Sequence, residues 1–164
     1  MIKADINREI LRQKIIKLAL LQYKKPYEHG KHGPDTFDCA GFVWYIYNQV
    51  CNIDIYEDAE GYSTTTRIMR SNCGKTIKFD EYSENKDISQ INIGDILFFH
   101  RQDKEETEPK PDNKYPGHCG IYLGDNNFIH CTRTKELVLI NNFKSKYWTR
   151  KLVGSKDIIS NIRR

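Results

Sequence analysis

At Gly74 the apolar pattern of this chain changes period, and few folds accept such a switch. Before Gly74 apolar residues recur at helical spacing. Ile10, Leu11, Ile15, Leu18 and Leu21, with Lys14 among them, line one face of a helix expected from about Ile6 to Tyr23. Asp5 is positioned to cap it, and Pro26 closes it. A second helix is expected to start at Asp38 or Cys39 and run through Phe42, Val43, Ile46, Tyr47 and Val50. A short third helix is expected from Ser63 to Arg70, capped by the hydroxyl of Ser63 or Thr64.

Beyond Gly74 the runs are strand-like. ILFF at 96–99 follows the turn NIGD, and His118–Leu123 and Phe128–Cys131 flank GDNN, a hairpin signature. Leu137–Ile140 and Tyr147–Val153 are expected to extend the sheet. Helices first and a meander of strands afterwards argue for an α+β fold, with N-terminal helices packed on a C-terminal antiparallel β-sheet.

The 164 residues suit one domain spanning 1–164, and no repeat or linker divides them. The formal charge of +4 is mild, and basic residues are scattered among acidic ones, as in Lys104-Glu105-Glu106. That pattern argues against nucleic acid as a partner, since no basic stripe with interleaved aromatics is present. A slightly basic surface suits an anionic polymer. No segment is long and apolar enough to span a bilayer. Asp5 and Glu9 stand where a secretion signal would be basic, so cytoplasmic synthesis is expected, with any action outside the cell requiring a non-classical route. RQDKEETEPKPDNKYPG, from Arg101 to Gly117, reads as a long loop between two strands, either a lid beside His118 or a tolerated surface insertion.

The five cysteines are an odd set without a CxxC pair, so reduced thiols are expected rather than a disulfide framework. Most reduced cysteines are small core residues, and Cys51 fits that reading. Cys39 differs, because it falls where the loop PDTFD becomes the apolar run FVWYIY. A thiol at a helix N-terminus is favoured as thiolate by the helix dipole and the free N–H groups, and those N–H groups can also hold an oxyanion. The base and the group that orients it are expected on the hairpin: His118 to take the thiol proton, and His130 to hold the His118 imidazole.

Strand parity makes this pairing testable. A strict two-residue loop at Asp125-Asn126 sends the two histidines to opposite faces, whereas a three-residue loop or a bulge brings them together. A zinc site from His118, Cys119, His130 and Cys131 is disfavoured, because neighbours on a strand point to opposite faces. Cys119 and Cys131 are expected as core thiols on the face away from the histidines.

PYEHGKHGPDTFDCAGFVWYIY resembles the cysteine-helix motif of the NlpC-type cell-wall peptidases, a papain-like superfamily. INIGDILFFH and HCGIYLGDNNFIHCTR resemble the strand and the histidine hairpin that follow in that family, and the blocks cover most of residues 25 to 135. The resemblance implies a papain-like fold and a cysteine peptidase that hydrolyses peptidoglycan stem peptides, commonly between D-γ-glutamate and a diamino acid. It implies no cofactor and no metal, and peptidoglycan or a muropeptide as the partner. Cys39 matches the nucleophile, His118 the base and His130 the third, polar member. Tyr27 matches a tyrosine that shapes the oxyanion site. Asp38 matches an acidic residue that recognises the substrate's amino end, and Thr66 falls near a pocket serine.

The sequence also departs from the family. Ala40 stands where serine is usual, His29 replaces an aromatic residue, and the 101–117 insertion is longer than the usual connection. Two further readings stay open: a thiol-dependent amidase or acyltransferase acting on another amide or ester, and a catalytically silent wall-binding or assembly module.

Overall fold

The computed structural model describes residues 2–56, 58–59, 63–80, 83–100 and 116–162. Helix α1 spans Ile2–Leu21, so Asp5 lies inside its first turn rather than capping it, and pairs with Arg8 at 3.4 Å. Ile15 and Ala19 are fully buried against the rest of the chain. Arg12 locks the helix in place: its guanidinium meets Asp95 at 3.0 Å and Asp157 at 2.9 Å, 83 and 145 residues further along the chain.

Helix α2, Cys39–Cys51, is the apolar run expected, with Phe42, Val43, Ile46 and Tyr47 buried. It stops at Asn52, whose left-handed backbone (φ 53°) is tolerated by asparagine better than by most residues. Helix α3, Thr64–Arg70, is capped by Ser63, whose side chain accepts from the N–H of Thr66. At its other end the buried Lys156 donates to the carbonyls of Ile68 (2.9 Å) and Met69 (3.1 Å), a cation placed where the helix dipole is negative.

Strands β1 (Lys75–Lys78), β2 (Ile96–Phe99), β3 (His118–Gly124), β4 (Asn127–Thr132), β5 (Leu137–Asn142) and β6 (Leu152–Asp157) form one sheet in the order β1-β6-β2-β3-β4-β5. Every pairing is antiparallel. The sequence reading of Tyr147–Val153 as a strand is corrected. Lys146–Lys151 forms helix α4, and β6 begins only at Leu152. The helix wins because one large residue per turn suffices there. Trp148 is buried against Phe99 and Phe128, with ring centroids 5.2 and 5.1 Å away, while Tyr147 stays exposed.

The sheet has two unlike faces. Phe98, Cys119, Ile121, Ile129, Cys131 and Val138 face the helical core, where α2 packs on β3 and β4. Leu97, Phe99, Tyr122 and Phe128 build a second, aromatic core with Phe143, Trp148 and Leu152.

Between these strands the hairpin register shifts. Tyr122 pairs with Phe128, but the next pair is Gly124 with Asn127, leaving Leu123 as an extra residue. Gly124, Asp125 and Asn126 take φ of 91°, 51° and 64°, which suits glycine and the two short polar residues. The bulge inverts the parity of one strand relative to the other. His118 and His130 therefore share a face, as the hairpin argument required.

Candidate active site

The loop before α2 is shaped to present Cys39. Asp38 caps the helix: one carboxylate oxygen accepts from Gly41 N–H at 2.7 Å and the other from Gly30 N–H at 2.9 Å. The backbone N–H of Asp38 donates to the Lys31 carbonyl at 2.8 Å, which folds the loop tightly over the helix start. Gly41 is what permits this approach, since a Cβ there would lie 2.1 Å from the Lys31 carbonyl oxygen. Gly41→Ala is therefore expected to destabilise the fold by about 1–3 kcal/mol, or to push the loop off the helix, read as a lower urea midpoint.

Three groups surround the Cys39 sulfur. Cys119 and His118, consecutive at the start of β3, are both hydrogen-bond partners of the thiol. The Thr65 hydroxyl lies 3.9 Å from Cys39 Sγ and 3.8 Å from Cys119 Sγ. Cys119 Sγ is also 3.5 Å from the Cys39 carbonyl. The hydrogen bond from Cys119 first, and then the hydrogen bond and charge of His118, hold the Cys39 thiol well below its ordinary range against the cost of burial. Cys119 moves the opposite way, upward through burial, so it keeps its proton and can donate it. The core thiol expected at 119 is buried, and it is also a contact of Cys39.

Behind His118 lies a chain of hydrogen bonds. His118 Nε2 and His130 Nδ1 are 2.6 Å apart, and His130 Nε2 is 2.8 Å from Asn141 Oδ1. Gly120 makes room for this contact, because a Cβ there would sit 3.0 Å from His130 Cβ. Trp148, Phe128 and Phe99 wall the two rings, with Trp148 and Phe128 each 5.0 Å from His130 between centroids.

Burial in this aromatic box, and then the neighbouring charge of His118, push His130 down to about 3, while Asn141 opposes the shift. His130 is thus neutral in the fold but protonates below its ordinary 6.5 once the chain unfolds. The unfolded state then binds the extra proton, so stability present at neutral pH is lost as pH falls from 6.5 towards 3. Unfolding free energy should drop by up to about 1.4 kcal/mol per pH unit across that window, and His130→Asn should flatten the slope in acid denaturation curves.

Tyr27 lies near this centre. Burial, and then the charges of Cys39 and Asp38, raise its phenol, so it stays protonated and able to donate. Ala40 is only 4% exposed and packs in the helical core. Thr66 is turned away, buried with its hydroxyl 3.0 Å from Ser63 Oγ, and its neighbour Thr65 is the residue that reaches Cys39. Most of the 101–117 loop, and the lid reading with it, lies outside the described residues. Among the described residues no three His, Cys, Asp or Glu side chains converge as a metal site, and no helix is long and apolar enough to cross a membrane.

Sequence reasoning missed Thr65, Cys119 as a thiol contact, and Asn141. The nearest available signal for Asn141 was its place directly after the expected strand Leu137–Ile140, on the same meander as the histidine hairpin.

The sequence pattern of the NlpC/P60 family matches residues 24–157. The chain is similar to the murein DD-endopeptidase MepH of Escherichia coli, 29% identical over 153 residues, covering 90% of this chain and 48% of that protein. It is 27% identical over 158 residues to the gamma-DL-glutamyl hydrolase of Bacillus subtilis, covering 95% and 31% of the two chains. It therefore spans less than half the length of either relative. Its fold resembles the NlpC/p60 domain of the peptidoglycan hydrolase SagA, with a TM-score of 0.63 and 23% identity over 89% of this chain and 97% of that one.

Proposed function

The chain belongs to the NlpC/P60 family, and on that footing we propose that it is a cysteine peptidase hydrolysing peptidoglycan stem peptides between D-γ-glutamate and a diamino acid. The observation that carries the reading is a cysteine at a helix start, packed against the beginning of β3, where His118 has its far nitrogen 2.6 Å from a second histidine. The name of the murein DD-endopeptidase supports this polymer as the substrate class, and the name of the gamma-DL-glutamyl hydrolase, rather than a DD-linkage, supports the γ-linked bond.

In this reading the Cys39 thiolate attacks the amide carbonyl carbon, and the electron pair of the C=O moves to oxygen. The N–H groups of Cys39 and Ala40 precede the first helical hydrogen bond and are free to meet that oxyanion, with the Tyr27 phenol as a further donor. His118, now imidazolium, gives its proton to the departing amine, and a thioester remains on Cys39. His118 then takes a proton from water, the hydroxide adds to the thioester, and the thiolate leaves.

Asp38 keeps unused lone pairs beside the cap bonds, so it can also meet an ammonium on the substrate. Burial, which comes first, raises its carboxyl. A substrate cation offsets the repulsion between Asp38 and the thiolate.

The test is a panel of defined muropeptides digested with the wild-type protein and read by product mass. New ends at D-γ-glutamate are expected. Cleavage solely at another bond, transfer to an amine in place of water, or an intact panel each overturns the assignment.

A further inference from the structure

We infer that Asn141 is a positioning residue that fixes the tautomers of both histidines and so keeps the base side of His118 open towards Cys39; this rests on Cys39 being the nucleophile. Asn141 stands on β5 directly across from Phe128, while His130 faces Leu139, so Asn141 and His130 lie diagonally on one face. Their contact is 2.8 Å, between His130 Nε2 and Asn141 Oδ1.

When Cys39 is thiolate, His118 carries protons on both nitrogens, and its Nε2–H needs an acceptor. That acceptor is His130 Nδ1, 2.6 Å away, which has a lone pair only if the His130 proton sits on Nε2. A proton on Nε2 needs an oxygen in front of it, and Asn141 Oδ1 is that oxygen. The rings packed on His130, those of Phe128 and Trp148, are aromatic and uncharged.

Remove the oxygen and His130 can carry its proton on Nδ1. It then donates to His118 Nε2, and neutral His118 must hold its own proton on Nδ1, the side that should receive the thiol proton. A carboxylate at 141 errs differently. It keeps an oxygen but draws a second proton onto His130, whose Nδ1–H then opposes the His118 imidazolium. A neutral acceptor is the one chemistry that serves, which accounts for asparagine rather than aspartate.

The test joins imidazole nitrogen NMR on the wild type with kinetics on Asn141→Leu and Asn141→Asp. In the wild type at about pH 7 the His130 proton is expected on Nε2. Asn141→Leu should lower kcat about tenfold or more with KM changed less than about twofold, because a wrong tautomer disables the base without touching substrate binding. Its iodoacetamide alkylation of Cys39 at about pH 6 should fall in parallel. Asn141→Asp should react at close to the wild-type rate near pH 8 and lose about fivefold or more near pH 6.

A His130 proton found on Nδ1 in the wild type overturns the inference, whether or not the variants fold. So does an Asn141→Leu protein that keeps wild-type alkylation at pH 6. A wild-type Cys39 that is itself unreactive at pH 6 instead brings down the nucleophile reading, and the NMR arm still decides the role of Asn141.

Discussion

Cys39→Ala is expected to leave a folded protein that releases stem-peptide fragments roughly 10⁴-fold more slowly or not at all. Cys39 as a residue is only partly buried, and its side-chain contact with Thr65 is long, at 3.9 Å, so little packing is lost. The thermal midpoint should accordingly move by a few degrees at most, which separates lost chemistry from lost structure. Cys39→Ser should be as inactive, because a hydroxyl is a far weaker acid than a thiol and the site is arranged around a preformed anion.

A second readout needs no substrate. Cys39 is shifted down while Cys73, Cys119 and Cys131 are shifted up, each chiefly by burial, and Cys51 is buried. Iodoacetamide near pH 6 should therefore add one label per wild-type molecule and none to Cys39→Ala. Activity surviving in Cys39→Ala at more than about one per cent of wild type would sink the nucleophile assignment.

His118→Gln has the next largest expected effect, a fall in kcat of roughly 10²–10⁴-fold from loss of the general acid and base. The same change removes one hydrogen bond and the positive charge that lower the Cys39 thiol, leaving the Cys119 contact as the chief remaining stabiliser. A thiolate partner that is lost raises the thiol, so the alkylation profile of Cys39 should move to higher pH, with the deficit largest at acid pH and shrinking as pH rises. A profile that overlays the wild type would show that His118 does not act on the sulfur. Partial retention of the low-pH reactivity points instead to Cys119, and the double variant with Cys119→Val would then abolish it.

The helices were legible because their signals are local. Ser63 caps α3 and Asp38 caps α2 through N–H groups three residues on, and the apolar run after Cys39 has one plausible fate. The hairpin was legible too, down to the need for an irregularity, since the parity of His118 and His130 can be counted from the turn. The region after Phe143 was not. Whether Tyr147–Val153 is a strand or a helix feeding a strand depends on Trp148 finding Phe99 and Phe128, residues that are distant in sequence. Thr66 and Thr65 illustrate the same limit at finer grain. A helix one residue later in phase presents a different hydroxyl, and only the packing of α3 set that phase.

By itself, then, the sequence determined the α+β class, the position of Cys39 at a helix start and the pairing of the two histidines. Each depends on residues a few positions apart, where capping, periodicity and strand parity apply. The tertiary structure alone decided what meets the thiol and what meets the far histidine. Cys119 and Thr65 come to Cys39 from β3 and α3, and Asn141 comes to His130 across β4 and β5. Those contacts arise from how helices seat on the sheet and how strands register, and no local pattern carries that information.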